Sequence, residues 1–239
     1  MDKQNLTLPI SIFIAAIVIA GTIYYTKKDS AQPSNPKELP PQEQEIKGPE
    51  EINSGDHVLG NPEAPLTLIL YTDFECPFCK KFHETIKKVA EEYGKAGKIR
   101  IIFRHFPLDQ LHKKSRTEAE STECVASIGG NEKFWEYTGL LFEITPSNDE
   151  MDLNKLPDIA EEIGVNREEF LKCLNEKEFA SKVQANYEDA VALGANGTPY
   201  FVIINQKGQK FPVSGALPYE ELKLGIEQFL SEKKENQEN

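Results

Sequence analysis

The chain has 239 residues, of which 27 are Lys or Arg and 39 are Asp or Glu, giving a formal net charge of -12. A chain of this length with 39% hydrophobic and 28% charged residues is typical of one core-forming domain with an appendage. The acidic balance argues against nucleic acid as a partner, because phosphate binding needs a basic face. Four cysteines are too few for a disulfide-dense scaffold but are enough for two pairs.

Residues 1–26 are predicted to form a transmembrane anchor. No charged residue lies between Lys3 and Lys27, and the apolar run between them is close to the ~20 residues that cross a bilayer. A cleaved signal peptide is the alternative, but it would have a shorter apolar region followed by a small-residue cleavage site. The flanking positive charges are nearly balanced, so they do not set the orientation.

Residues 27–55 are predicted to be a flexible linker. Proline, glutamate, glutamine and serine dominate this segment, and it has too few apolar residues to offset the entropy of ordering. Such a Pro-rich segment would act as a semi-extended tether. The folded domain is expected over residues 56–230, followed by a disordered tail over residues 231–239.

The first predicted strand of the domain is the apolar run Leu66–Tyr71, which is typical of a strand buried on both faces. A helix with one apolar stripe follows and ends near Gly94. Arg100–Phe103 is predicted as a second strand. This order of strand, helix and strand predicts a right-handed crossover and a parallel pair.

Helical periodicity extends over residues 115–193. Gly129 and Gly130 are predicted to stop the first helix, and Asn166 is predicted to cap a later one. Strand character returns at Tyr200–Ile204 and continues through a hairpin turn at Lys207–Gly208. A final amphipathic helix completes an α/β domain with a helical insertion.

The sharpest chemical feature is the sequence Cys76-Pro77-Phe78-Cys79, placed between the first strand and its helix. Pro77 favours the first helical position, so Cys76 is expected at the helix N-terminus, where free N–H groups stabilise a thiolate. Cys76 is therefore the predicted nucleophile, and Cys79 is the predicted resolving thiol. Zinc binding and a purely structural disulfide are weaker alternatives, because the other cysteines are distant and neither needs this strand–helix setting.

A second motif, Gly197-Thr198-Pro199-Tyr200, directly precedes a later strand. With this motif the chain resembles the DsbA-like disulfide oxidoreductases of the thioredoxin superfamily. The resembling segments are Tyr71–Phe82, Phe106-Pro107-Leu108, Cys124, Phe134-Trp135, Gly164-Val165, Cys173-Leu174 and Gly194–Pro199. The resemblance implies a thioredoxin fold with an inserted all-helical subdomain, and a cis Pro199 that faces the cysteines.

The resemblance also implies a protein thiol:disulfide oxidoreductase that needs no organic cofactor and no metal. The residues expected to contact substrate are Pro77, Phe78, Thr198 and Pro199. An extended substrate peptide would pair with the Thr198 backbone as an added strand. Protein or peptide thiols are the expected substrates, a soluble or membrane-bound redox partner would recycle the site, and the chain is expected to be a monomer.

Two positions depart from the family pattern. Leu70 stands six residues before Cys76, where the family often carries a buried acid that relays a proton from the buried cysteine. Phe78 stands where strong oxidases commonly carry histidine, and phenylalanine cannot donate a hydrogen bond to the Cys76 thiolate. Asp73 and Glu75 are expected to be solvated carboxylates at the rim of the site. The alternative is that they lie close to the thiolate and oppose it.

The direction of the reaction follows less directly from the sequence. The leading hypothesis is an oxidase that introduces disulfides into exported proteins, located at the cell membrane as a single-pass protein with its catalytic domain outside the cytoplasm. A reductase or isomerase would use the same residues. A non-catalytic scaffold domain is the third alternative, and it is disfavoured because Cys76 and Cys79 are both present.

The two remaining cysteines, Cys124 and Cys173, are predicted to form a structural disulfide between two helices of the insertion, because this pairing leaves the Cys-x-x-Cys free to cycle. Two buried free thiols and a second redox pair remain alternatives. The four histidines have no metal-ligand spacing, and His83 is expected at the surface. Phe134 and Trp135 are expected in the core of the insertion.

Overall fold

The fold was determined from a computed structural model, which describes residues 48–235. The strands are β1 (His57–Gly60), β2 (Leu66–Thr72), β3 (Ile99–His105), β4 (Tyr200–Ile204) and β5 (Lys210–Ser214). The helices are α1 (Pro77–Val89), α2 (Ser115–Ile144), α3 (Leu156–Glu162), α4 (Arg167–Glu176), α5 (Ala180–Ala192) and α6 (Tyr219–Glu235). A π-helical turn (Ala90–Gly94) extends α1, and a short 3-10 turn (Leu153–Lys155) precedes α3.

The strands form one mixed sheet in the order β1-β3-β2-β4-β5. β2 and β3 pair in parallel, as the order of strand, helix and strand predicts, and β4 pairs antiparallel to β2. Every residue of β2 is buried because both faces of the sheet are covered. Leu68 and Leu70 face a core shared with α1, α6 and the insertion, while Ile69 and Tyr71 face a smaller core that includes residues of α5.

The helical insertion lies between β3 and β4. Its first helix, α2, bends at Gly130, where a φ of 80° and a ψ of -176° interrupt the helical backbone. This conformation suits glycine and agrees with the predicted stop. Asn166 caps α4 by accepting hydrogen bonds from the backbone N–H groups of Glu168 and Glu169, both at 3.0 Å. The predicted arrangement, a thioredoxin-like sheet with an inserted helical subdomain, is confirmed.

The predicted boundaries of the domain need two corrections. Residues 50–55, predicted as linker, join the domain: the Glu50 carbonyl accepts a bond from the buried Arg104 (3.1 Å), and the Glu50 N–H donates to Asp189 (3.0 Å). At the other end, α6 runs to Glu235, into the predicted tail. Glutamate and lysine are good helix formers, so a solvated helix can continue past the last apolar contact.

The predicted anchor over residues 1–26 and most of the predicted linker lie outside the described residues. Among residues 48–235, no helix is both long enough and apolar enough to cross a membrane.

Cys124 on α2 and Cys173 on α4 are joined by a disulfide, with their Cα atoms 5.8 Å apart. Replacing both with alanine should lower the free energy of unfolding by about 4 kcal/mol, because the bond closes a loop of roughly 50 residues in the unfolded chain. Chemical denaturation of the double variant measures this loss. Thiol exchange should remain largely intact, and an exchange rate that collapsed in a folded variant would assign this pair to the mechanism.

Candidate active site

The fold places Cys76 at the N-terminus of the first helix. α1 begins at Pro77, and Cys76 is its N-cap residue, with an extended backbone and no side-chain capping bond. The unpaired backbone N–H groups in the first turn of α1 therefore lie at the same end of the helix as the Cys76 sulfur. Cys76 and Cys79 are both buried free thiols, with 4% and 1% of their surface exposed.

The two sequence motifs meet at this point. The peptide bond between Thr198 and Pro199 is cis, as the resemblance implies. The Cys76 Sγ donates a hydrogen bond to the Thr198 carbonyl over 3.4 Å, across 122 positions of sequence. The structure thus brings the Cys-x-x-Cys turn against the cis-proline loop.

The two thiols are held in different electrostatic surroundings. A hydrogen bond from the Cys79 thiol, aided by the N–H groups of Cys79 and Phe78, outweighs burial and lowers the pKa of Cys76 to about 6. Burial, followed by the neighbouring Cys76 sulfur, raises the pKa of Cys79 well above its usual value. Cys76 is therefore the sulfur that ionises at neutral pH and can attack or leave.

This difference predicts the pH dependence of alkylation. The pseudo-first-order rate of iodoacetamide labelling of the reduced protein should rise as pH increases through about 6 and level off above pH 7. The thiolate fraction sets this profile, and an ordinary thiol would reach half its maximal rate only near pH ~8.5. Mass spectrometry should find the label on Cys76. A midpoint above pH 8 would contradict a stabilised thiolate.

The residues predicted to contact substrate differ in accessibility. Pro77 is exposed, and Phe78 has 64% of its surface exposed beside the cysteines. Thr198 is partly exposed and Pro199 is buried. Together they leave an apolar, accessible rim around a buried sulfur pair.

Asp73 was expected at the solvated rim, and this prediction is wrong. Its carboxylate is fully buried and accepts hydrogen bonds from the backbone N–H groups of Glu75 and Leu108, both over 2.8 Å. His112 Nδ1 lies 2.9 Å from the same carboxylate. The buried carboxylate is tolerated because these donors replace its water. Asp73 thus ties the turn before Cys76 to the loop that leads into α2.

Glu75 was also expected to be solvated, and it too is fully buried. Its carboxylate accepts from the backbone N–H groups of Asp149 (2.7 Å) and Met151 (3.0 Å). Its carbonyl accepts from the N–H of Asn148 over 2.7 Å. Asn148 and Asp149 have positive φ values of 57° and 66°, which turn their N–H groups towards Glu75. The residue before Cys76 therefore holds the loop that follows α2.

A buried acid other than the one that the family often carries at the position of Leu70 lies near the turn before Cys76. Leu70 is packed in the main core. The side chain of Glu118, on the first turn of α2, is buried, and neither of its oxygens has a hydrogen-bond partner among residues 48–235. Burial, together with the charges of Glu75, Asp73 and Asp149, raises the pKa of Glu118 to about 9. Glu118 therefore carries a proton at neutral pH.

The histidines are buried, so the predicted surface position of His83 is wrong. His83 stacks on Phe142 with the ring centroids 4.7 Å apart, because α1 packs this side against the insertion. Burial lowers the pKa of His83 to about 4. His57 and His105 both approach the buried Glu123, at 2.8 and 2.9 Å. Within residues 48–235, no three His, Cys, Asp or Glu side chains are arranged to hold a metal ion.

The predicted core of the insertion is confirmed at Phe134, which is fully buried, and at Trp135, which packs against the same core. Sequence patterns missed the burial of Asp73, although one local signal existed. An aspartate whose side chain accepts the N–H two residues later forms an Asx turn, and Asp73-Phe74-Glu75 has the required spacing.

Comparison with known proteins agrees with this geometry. The family model described as thioredoxin matches residues 52–228. Wolbachia pipientis alpha-DsbA1 is 25% identical, with a TM-score of 0.66 over 76% of this chain and 94% of that one. Oxidised BdbD from Bacillus subtilis is 26% identical, with a TM-score of 0.66 over 74% of this chain and 94% of that one.

A curated relative, the Na(+)/H(+) antiporter NhaA 1 of Mycolicibacterium gilvum, is 33% identical over 172 residues. The match covers 71% of this chain but 26% of the antiporter, so the chain spans about a quarter of that relative's length. The family model covers most of the described domain, and the solved structures share its fold. The chain therefore belongs to the thioredoxin family, and its fold is DsbA-like.

Proposed function

We propose that the chain introduces disulfides into exported proteins while tethered to the cell membrane. The observation that carries the direction is the lowered pKa of Cys76, to about 6. A stabilised thiolate favours the reduced form of the pair, and a pair whose reduced form is favoured is an oxidant towards its substrates. Phe78 adds no charge or side-chain hydrogen bond, so we expect an intermediate-to-oxidising reduction potential.

The reaction proceeds by two exchanges. A substrate thiolate attacks the Cys76 sulfur of the Cys76–Cys79 disulfide, and the Cys79 thiolate leaves and takes up a proton, consistent with its raised pKa. A second substrate thiolate then attacks the substrate sulfur of the mixed disulfide, and Cys76 leaves as a thiolate. The substrate has lost two electrons and two protons, and the cysteine pair has gained the electrons. A redox partner must accept these electrons to restore the disulfide.

The cis-proline loop supports polypeptide substrates. Because the Cys76 thiol donates a hydrogen bond to the Thr198 carbonyl, the loop backbone lies directly beside the nucleophile. An extended peptide can pair with such a backbone segment as an added strand, while Phe78 offers it apolar surface. This contact is independent of sequence, as an enzyme acting on many exported proteins requires.

A reductase or isomerase would use the same groups, and the reduction potential separates these functions. We expect a value nearer ~-120 mV than ~-270 mV, the range spanned by strong oxidants and thioredoxin-like reductants. The full chain should oxidise a reduced two-cysteine peptide faster than it reduces insulin, and Cys76→Ser should do neither. A thioredoxin-like potential would contradict oxidation. The absence of any Cys76-dependent exchange in both assays would leave only the scaffold alternative.

The proposed location of the catalytic domain, outside the cytoplasm at the cell membrane, is tested by a separate experiment. With residues 1–26 as the anchor and the catalytic domain outside, protease added to intact cells should remove the domain. A domain that stays protected until the membrane is lysed would contradict this topology.

A further inference from the structure

A groove of about 450 Å³ lies between α1 and the helical insertion, and no residue of the cis-proline loop lines it. Its apolar lining comes from four different elements or their ends: Leu59, Ile86, Leu140 and Ile163. Lys80 on α1 donates to the carbonyl of Glu143 at the end of α2 over 3.0 Å, which holds the two walls together. This volume is within the range of pockets that bury ligand groups.

His83 supplies an unused polar group in this groove. Its ring is 93% buried, since 7% of its surface is exposed, and neither ring nitrogen has a hydrogen-bond partner among the described residues. The Nε2 atom faces Gly139 on the opposite wall, 4.0 Å from where a Cβ atom on that glycine would lie. The ring is neutral at pH 7, because burial lowers its pKa to about 4, and it offers one donor and one acceptor.

The rim of the groove is acidic. Glu136, Glu143 and Glu162 border it, against one lysine, Lys87. Glu136 is paired with Lys133 outside the groove at 2.8 Å, whereas Glu143 and Glu162 make no side-chain bond within the described part of the chain. The rim therefore disfavours anionic groups and favours a lysine or arginine beside the apolar lining.

The groove is within reach of a substrate held at Cys76. His83 and Lys87 follow Cys76 by seven and eleven positions along α1, which is roughly 10 to 16 Å at 1.5 Å per residue. An extended peptide rises ~3.3 Å per residue, so it covers this distance in about three to five residues.

We propose that this groove is a second substrate subsite, which binds an apolar side chain followed by lysine or arginine, about three to five residues from the substrate cysteine. The proposal rests on the proposed function, because it gives that function a preferred class of polypeptide. The cis-proline loop binds the backbone of the substrate residues around the substrate cysteine. The groove binds substrate side chains further along the peptide.

Peptides with an activated cysteine test the spacing directly. Each peptide carries a single cysteine as a mixed disulfide with thionitrobenzoate in a Ser/Gly background, with Phe-Lys placed four residues before or after the cysteine, or replaced by Ser-Ser. Cys76 of the reduced full chain attacks the peptide sulfur, and the coloured thionitrobenzoate thiolate leaves. We expect the second-order rate constant to be about tenfold higher for one of the Phe-Lys peptides than for the Ser-Ser peptide.

Filling the groove should remove this preference. Among the described residues, a Cβ on Gly139 would meet only His83, so Gly139→Leu projects a side chain into the groove from an ordinary helical position. Its matched control is Gly225→Leu on α6, where an added Cβ meets no atom of the described part of the chain within 4 Å. Gly139→Leu should bring the two rate constants within about twofold of each other, and Gly225→Leu should keep the tenfold ratio.

The exposed rim provides a test that does not depend on packing. Glu143→Gln with Glu162→Gln should lower the rate for the Phe-Lys peptide about threefold, and not for a peptide with Phe-Gln. The control is Glu176→Gln with Glu178→Gln, which are exposed and lie outside the groove.

The outcomes separate this subsite from the proposed function. Equal rates for all peptides in the wild type, or a preference that survives both Gly139→Leu and the rim variant, would overturn the subsite alone. Thionitrobenzoate release no faster than with Cys76→Ser would overturn the proposed function.

Discussion

Replacing Cys79 with serine should trap proteins that present a disulfide as mixed disulfides on Cys76, because the Cys76 thiolate attacks that disulfide and the captured protein's other sulfur leaves as a thiolate. The variant keeps the Cys76 sulfur, with a serine hydroxyl in place of the Cys79 thiol that donates to it, but loses the thiol that resolves the complex from within the protein. Turnover should fall by at least on the order of 10³-fold, because an external thiol must replace an intramolecular one. Non-reducing gels and mass spectrometry of the captured complexes measure this directly.

The matched variant for this trap is Cys76→Ser. It should capture nothing, since Cys79 is 1% exposed and burial raises its pKa. Captured complexes in similar amounts with both variants would contradict the assignment of Cys76 as the nucleophile.

Replacing Arg104 with alanine should cost about 3–5 kcal/mol of unfolding free energy. Its guanidinium is buried between two carboxylates, with bonds of 3.0 Å to both oxygens of Asp56 and 2.6 Å to Asp189. The side chains of Asp56 and Asp189 are 7% and 4% exposed, so removing the cation leaves two buried carboxylates without a countercharge. Urea denaturation monitored by circular dichroism gives the loss.

Arg116→Ala provides the control for this change. Arg116 pairs with Asp109 over 2.6 Å, but the two side chains are 26% and 45% exposed. Its loss should cost less than about 1 kcal/mol, because water screens and replaces a surface pair. Equal losses for Arg104→Ala and Arg116→Ala would mean that the buried network contributes little.

The elements that the sequence predicts well are those with strong local patterns. β2 and α1 follow from an apolar run and an apolar stripe, and Asn166 caps α4 as predicted. β1 and residues 50–55 could not be found this way. β1 has four residues and depends on pairing with β3, and the segment before it depends on bonds to Arg104 and Asp189 far along the chain.

The active site likewise has one part that local sequence motifs predict and another part that they do not. Cys76, Cys79 and the cis Pro199 follow from motifs, and the structure brings them together. The burial of Asp73 and Glu75 does not follow, because polar residues in loops are ordinarily solvated. Apart from the Glu75 N–H that bonds Asp73, the donors to these two carboxylates lie 35 to 76 positions away. Long-range backbone donors leave no pattern in a single sequence.

The bonds made by Asp73 and Glu75 also bear on how modular the helical insertion is. In the topology, the insertion is a long connection between β3 and β4, and a shorter loop could connect the same strands. Yet the donors that satisfy these two carboxylates belong to its entry loop and to the loop after α2. Deleting the insertion would remove the long-range donors of both carboxylates immediately before the nucleophile and leave Asp73 with the Glu75 N–H. In this chain the insertion and the catalytic turn can be gained or lost only together.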